Sequence, residues 1–128
     1  MTQTIFPSLR YRDPEAAIAW LSTAFGMQEH EVARSPDGAI QHAELTFGTG
    51  VIMLGPDRDD VYGSHAGRGW LYIAVDDPDT LHERAVAAGA EVVHGLVDTD
   101  YGSRDFSVRD PEGNLWSFGT YRPETAAR

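Results

Sequence analysis

The chain reads as an α+β domain built from two tandem modules, each a strand, a helix and three further strands. Three observations predict this. First, the sequence repeats itself at an offset of 64 residues: Asp13-Pro14 recurs as Asp77-Pro78, His30 as His94 and Gly55 as Gly119. Second, apolar positions follow the same offset, Leu9 with Ile73, Val51 with Leu115 and Leu54 with Phe118. Several matches at one shared spacing mark an internal repeat. Third, each half carries one helical period between runs of β-rich residues. All 128 residues are read as one domain, with module one at about 1–55, a linker at about 56–68 and module two at about 69–121.

In the first module, Thr4 to Arg12 reads as a strand. Asp13 is an N-cap and Pro14 takes N1, where its missing N–H costs nothing. Ala17, Trp20, Leu21, Ala24 and Phe25 follow at helical spacing, and Gly26 is the stop. Gln28 to Arg34 is a strand ending at the turn Ser35-Pro36-Asp37-Gly38. Ala39 to Phe47 and Val51 to Gly55 form a hairpin around Gly48-Thr49-Gly50.

The second module repeats the plan. Trp70 to Val75 is a strand, Asp77-Pro78 opens a helix to about Ala88, and Gly89 stops it. Glu91 to Leu96 is a strand, and Arg104 to Arg109 pairs with Leu115 to Tyr121 around Asp110-Pro111-Glu112-Gly113-Asn114. Pro56 to Arg68 and Asp98 to Ser103 are irregular, as lids and binding loops often are, and Arg122 to Arg128 is expected to fray. One face of each sheet is covered by its helix. The other is left for the partner module or a ligand.

Composition narrows the function. A net charge of −10 argues against nucleic acid or an anionic membrane as partner, and accommodates a cationic or neutral ligand. With no cysteine, disulfides, thiolate nucleophiles and Cys-based metal sites are excluded. The start Met1-Thr2-Gln3-Thr4 has no leader pattern and no apolar run approaches a membrane span, so the expected location is cytoplasmic.

The segment Asp13 to Gly26 and the run Asp110-Pro111-Glu112-Gly113-Asn114-Leu115-Trp116 resemble the vicinal oxygen chelate superfamily. Its members include glyoxalase I, methylmalonyl-CoA epimerase, extradiol dioxygenases and the fosfomycin and bleomycin resistance proteins. The resemblance covers nearly the whole chain. It implies tandem βαβββ modules forming a curled mixed sheet around a cavity, and homodimers. Metal enzymes of this superfamily place His, Gln or Glu at up to four equivalent positions on the first and last strands of each half. Those positions hold Phe6, Met53, Trp70 and Ser117 here, and the pairs Phe6/Trp70 and Met53/Ser117 both keep the offset of 64. Zinc, nickel or iron(II) needs imidazole or carboxylate donors. No metal and no other cofactor is therefore expected.

The expected site is apolar and aromatic, with Phe6, Met53 and Trp70 contacting a flat hydrophobic ligand and Ser8, Arg10, His42, Glu44 and Ser117 orienting it. Tyr62 and Tyr101 lie in the irregular stretches, placed to close over it. A core role for Phe6 and Trp70 in a collapsed cavity is the alternative. If Gly48-Thr49 is a two-residue loop, Glu44 lies opposite Met53 and shares a face with His42. A slip of one residue turns them away. Trp20 and Trp116 have core parity. The expected function is binding of the drug-sequestering, bleomycin-resistance-like type, with a hydrophobic or aromatic small molecule as partner, a cationic one being favoured. The alternative is a glyoxalase-like lyase or isomerase, or another small-molecule enzyme, with Glu44 as general base beside His42.

Overall fold

The computed structural model describes residues 3–124. The tail from 125 onward, where fraying was expected, lies outside them. The elements are β1 (Ser8–Tyr11), α1 (Pro14–Phe25), β2 (Gln28–Arg34), β3 (Ile40–Phe47), β4 (Gly50–Pro56), β5 (Trp70–Ala74), α2 (Pro78–Ala87), β6 (Glu91–Asp98), β7 (Arg104–Arg109) and β8 (Leu115–Gly119). They form two four-stranded mixed sheets, ordered β1-β4-β3-β2 and β5-β8-β7-β6. The α+β class and the two βαβββ modules stand. Each module contributes one four-stranded mixed sheet, the sheets are not closed into a barrel, and β1 and β5 each lie at a sheet edge. The modules join through their helices and a shared core, so no strand pairing is needed to hold them.

Both helices start as their sequences dictate. The Asp13 carboxylate accepts from the Ala16 N–H at 3.1 Å and Asp77 from Thr80 at 3.2 Å, each followed by proline. Arg84 of α2 donates to the Thr23 and Ser22 carbonyls at 2.8 and 3.2 Å. A cation thus satisfies the last turn of α1, where the helix dipole is negative. The Trp20 indole N–H donates to the Ala88 carbonyl across the same joint. Trp20 is therefore half-buried between helices rather than deep in the core, while Trp116 is fully buried. Phe25 of α1 packs against Trp116 and Phe118 of β8, with ring centroids 5.4 and 4.8 Å apart.

The first strand is shorter than expected. Pro7 has no N–H to give, and the Gln3 carboxamide takes strand-like places instead, donating to the Val51 carbonyl and accepting from its N–H. Phe6 therefore precedes β1. The 64-residue ruler holds where β1 and β5 meet the last strands: Ser8 pairs with Met53, and Tyr72 with Ser117. It drops to 63 in between. Glu44 pairs with Met53 while Ser107 pairs with Ser117, and Glu31 pairs with Glu44 while His94 pairs with Ser107. The second module is one residue shorter from Asp77 to Gly89 than the first from Asp13 to Gly26, and its last hairpin is one residue longer between Ser107 and Ser117 than the first between Glu44 and Met53. The structural counterpart of His94 is therefore Glu31, not His30.

Candidate functional site

Each sheet turns alternate residues toward its helix and the others away. In module one, Leu9, Tyr11, Ala43, Leu45, Ile52 and Leu54 are buried. Ser8, Arg10, His42, Glu44 and Met53 occupy the intervening positions on the open face. The register follows from the turn. Phe47 pairs with Gly50, so Gly48-Thr49 is a two-residue loop, and Gly48 at φ 57° supplies the left-handed first position of a type II′ turn. Glu44 consequently lies opposite Met53, and the His42 Nε2 is 3.0 Å from the Glu44 carboxylate.

Arg10 on this face is fully engaged. It donates to the Arg58 and Gly63 carbonyls at 2.8 and 3.0 Å and to the Asp60 carboxylate at 2.8 Å, and its guanidinium lies 5.9 Å from the centre of the Tyr62 ring. That hydrogen bond holds the Asp60 carboxyl below the usual range. Asp57 binds the Ser64 hydroxyl and accepts from the His65 and Ala66 N–H groups, and the Ser64 bond lowers its pKa too. The linker expected as a lid is thus tied to the sheet, with Tyr62 exposed at its edge. Gly67 in the same loop has φ 81°, and a Cβ there would meet the Glu112 carbonyl oxygen at 2.3 Å. Ser8, Arg10, His42, Arg58, Asp60 and Tyr62 line a polar hollow of about 320 Å³.

Module two presents a different face. Trp70 is 72% exposed, yet its indole N–H donates to the Ser117 hydroxyl at 3.0 Å. The Ser117 and Ser107 hydroxyls are 2.7 Å apart, and Ser107 lies 3.2 Å from His94 Nε2. Beside this chain, the Tyr72 hydroxyl donates to the Tyr121 carbonyl at 2.6 Å, and its partial burial raises its pKa. Tyr101 meets Tyr121 edge to face, with centroids 5.9 Å apart.

The turn that positions β8 is built around Asp110, 4% exposed. One carboxylate oxygen accepts from the Tyr11 hydroxyl at 2.5 Å and the Trp116 indole N–H at 3.0 Å. The other accepts from the Glu112 and Asn114 N–H groups, each at 3.0 Å. Four donors replace the water that this buried carboxylate gave up. Burial and the adjacent Asp110 charge push the Tyr11 pKa well up.

The structure therefore brings the expected residues together in two groups. Ser8, Arg10, His42 and Tyr62 surround one hollow, with Glu44 bonded to His42; Trp70 and Ser117 touch on the other sheet. Phe6, Met53, Trp70 and Ser117 line no common cavity among those found in the described residues. A groove of about 530 Å³ does run between the modules, but its walls are residues such as Ile5, Phe47, Val51, Leu71 and Ile73. Ser107, His94 and Tyr72 were missed. The longer turn at 110–114 was the available signal, since it moves Ser107 opposite Ser117. The arene, thioether, indole and hydroxyl that Phe6, Met53, Trp70 and Ser117 offer do not make a donor set for zinc, nickel or iron(II). Among the described residues no three His, Asp or Glu side chains converge in a metal-like group.

Comparison with known proteins agrees with the fold. Residues 4–118 match the Glyoxalase/Bleomycin resistance protein/Dioxygenase superfamily. The uncharacterized protein Rv0887c of Mycobacterium tuberculosis is 32% identical over 121 residues, spanning 88% of this chain and 71% of that protein. The crystal structure of TioX from Micromonospora sp. ML1 superposes with a TM-score of 0.79 at 34% identity, covering 92% of this chain and 98% of that one. A glyoxalase/bleomycin resistance protein/dioxygenase family enzyme from Burkholderia phytofirmans superposes with a TM-score of 0.70 at 25% identity, covering 89% of this chain and 94% of that one.

Proposed function

The chain belongs to the Glyoxalase/Bleomycin resistance protein/Dioxygenase superfamily, and on that premise we propose that it binds and sequesters a flat aromatic small molecule without transforming it. The observation that carries this reading is Trp70. The residue is 72% exposed while its indole N–H is tethered to Ser117, so a large apolar surface is held open at a fixed place. A collapsed core would have buried that surface, because leaving it in water forgoes stabilisation. Tyr72 and Tyr101 extend the aromatic surface beside it, and the open face of module one adds Met53 with Glu44. The acidic surface favours a cationic ligand.

The two faces belong to separate sheets, so a second copy of the chain is the proposed means of closing a cavity, one module from each protomer. Sedimentation at micromolar protein would show a dimer, and a concentration-independent monomer would refute this arrangement. For binding, titration with cationic polycyclic and glycopeptide drugs, bleomycin among them, should quench tryptophan fluorescence in the native chain and not in Trp70→Phe. Trp20 and Trp116 serve as internal references, since both lie away from the face. Equal quenching in both proteins would defeat the reading.

The His42–Glu44 contact of 3.0 Å favours one second reading, a metal-independent enzyme with Glu44 as general base. Loss of turnover in Glu44→Gln with ligand binding retained would establish it, and turnover unaltered by that change would dismiss it.

A further inference from the structure

With His94 neutral, the hydrogen bonds on the open face of module two can run in only one sense. The Trp70 indole nitrogen can only donate, and the Gly95 carbonyl can only accept. His94 Nδ1 lies 3.0 Å from the Gly95 oxygen, so in neutral His94 the ring proton sits on Nδ1 and Nε2 is the acceptor. The Ser107 hydroxyl must then donate to Nε2, and the Ser117 hydroxyl to Ser107, with Trp70 donating to Ser117. Ser117 has spent its only proton and keeps one free lone pair. Protonated His94 carries a proton on both nitrogens. Nε2 then donates to Ser107, Ser107 to Ser117, and the Ser117 proton becomes free to point at a ligand.

We infer that His94, acting through Ser107, sets the hydrogen-bonding sense of Ser117, so that with His94 neutral the face selects flat aromatic molecules bearing an N–H or O–H donor. This rests on the reading of that face as the ligand surface. His94 is a positioning residue here, since it touches the ligand only through the serines. The charged groups on the two paired strands are Glu91 and Asp98 on β6, and Arg104, Asp105 and Arg109 on β7, with Arg104 bonded to Asp98. Helix α2 packs on the opposite face with Asp79, His82, Glu83 and Arg84.

The test uses the full chain labelled with ¹⁵N and two flat probes of similar size, indole as a donor and 1-indanone as an acceptor. The Trp70 side-chain N–H signal, assigned through Trp70→Phe, reports binding. At pH about 8, indole is expected to bind better relative to 1-indanone than at pH about 5.5. The change in the ratio should be about 25-fold, since one probe loses a hydrogen bond worth about fivefold as the other gains one. His94→Leu removes the acceptor and should show the acid-side ratio at both pH values. His94 is exposed, so the fold should tolerate this change. Ser107→Ala cuts the chain one link nearer and should remove the pH dependence. A ratio that ignores both pH and His94 overturns the inference while leaving the face as a ligand site. Persistence of the pH dependence in His94→Leu also overturns it, assigning the titration to another of the groups named. Failure of both probes to move the Trp70 signal overturns the ligand reading and the inference with it.

Discussion

The two modules share one ladder frame and put unlike chemistry on it. In the first, the row across the sheet is Ser8, Met53, Glu44 and Glu31; in the second, the equivalent row is Tyr72, Ser117, Ser107 and His94. The first row is acidic, and its neighbour Arg10 is committed to holding the linker. The second is a chain of hydroxyls between an exposed indole and an imidazole. A duplicated backbone fixes where side chains stand, and each copy then diverges in what it presents. The hairpin turns differ as sharply. The first needs only Gly48-Thr49, while the second closes around a buried carboxylate.

The largest way to break this comparison is at that carboxylate. Asp110→Ala should cost about 3–5 kcal/mol, because it strands the Trp116 N–H, the Tyr11 hydroxyl and two backbone N–H groups in a dry site. Urea denaturation measures it, and a loss under about 1 kcal/mol would show that water replaces the carboxylate. The other turn should matter less. Gly48→Val forces a β-branched residue to φ 57° and should cost about 1–3 kcal/mol by the same measurement.

The linker sharpens the contrast through pH. The folded pKa values of Asp57 and Asp60 are depressed, so their stabilisation is fully present above the ordinary aspartate value of about 3.9 and is lost as pH falls through the lower folded values. Amide exchange at His65 and Ala66 should accelerate in that acid range before exchange in β3 or β8 does. Simultaneous acceleration would mean that the linker has no separate stability. The smallest effect is expected at the proposed ligand surface. Trp70→Ala should change stability by less than about 0.5 kcal/mol, since the side chain is largely exposed. A larger loss would place Trp70 in the fold's own packing.

Much of the fold was legible because local chemistry decides it. Asp13-Pro14 and Asp77-Pro78 open helices, Gly26 follows one helix end with φ 77°, and a two-residue turn forces Glu44 opposite Met53. The parity of Trp116 against Ser117 could likewise be counted along one strand. The site was less legible. His30 and His94 match at the sequence offset, but β-bulges and two compensating length changes put Glu31 in the place that His94 holds. Arg10 was read as a ligand contact, and its partners in the linker lie 48 to 53 residues away.

By itself the sequence determined the duplicated α+β plan, the helix starts, and the two-residue turn that sets β3 against β4. These depend on residue type and on spacings within one hairpin or one helix. Only the tertiary structure decided that the two sheets stay separate and that Trp70 remains in solvent. It also decided that Ser117, Ser107 and His94 join into one directed chain. Those outcomes depend on register across three strands, where one extra residue in a distant turn changes which side chains meet.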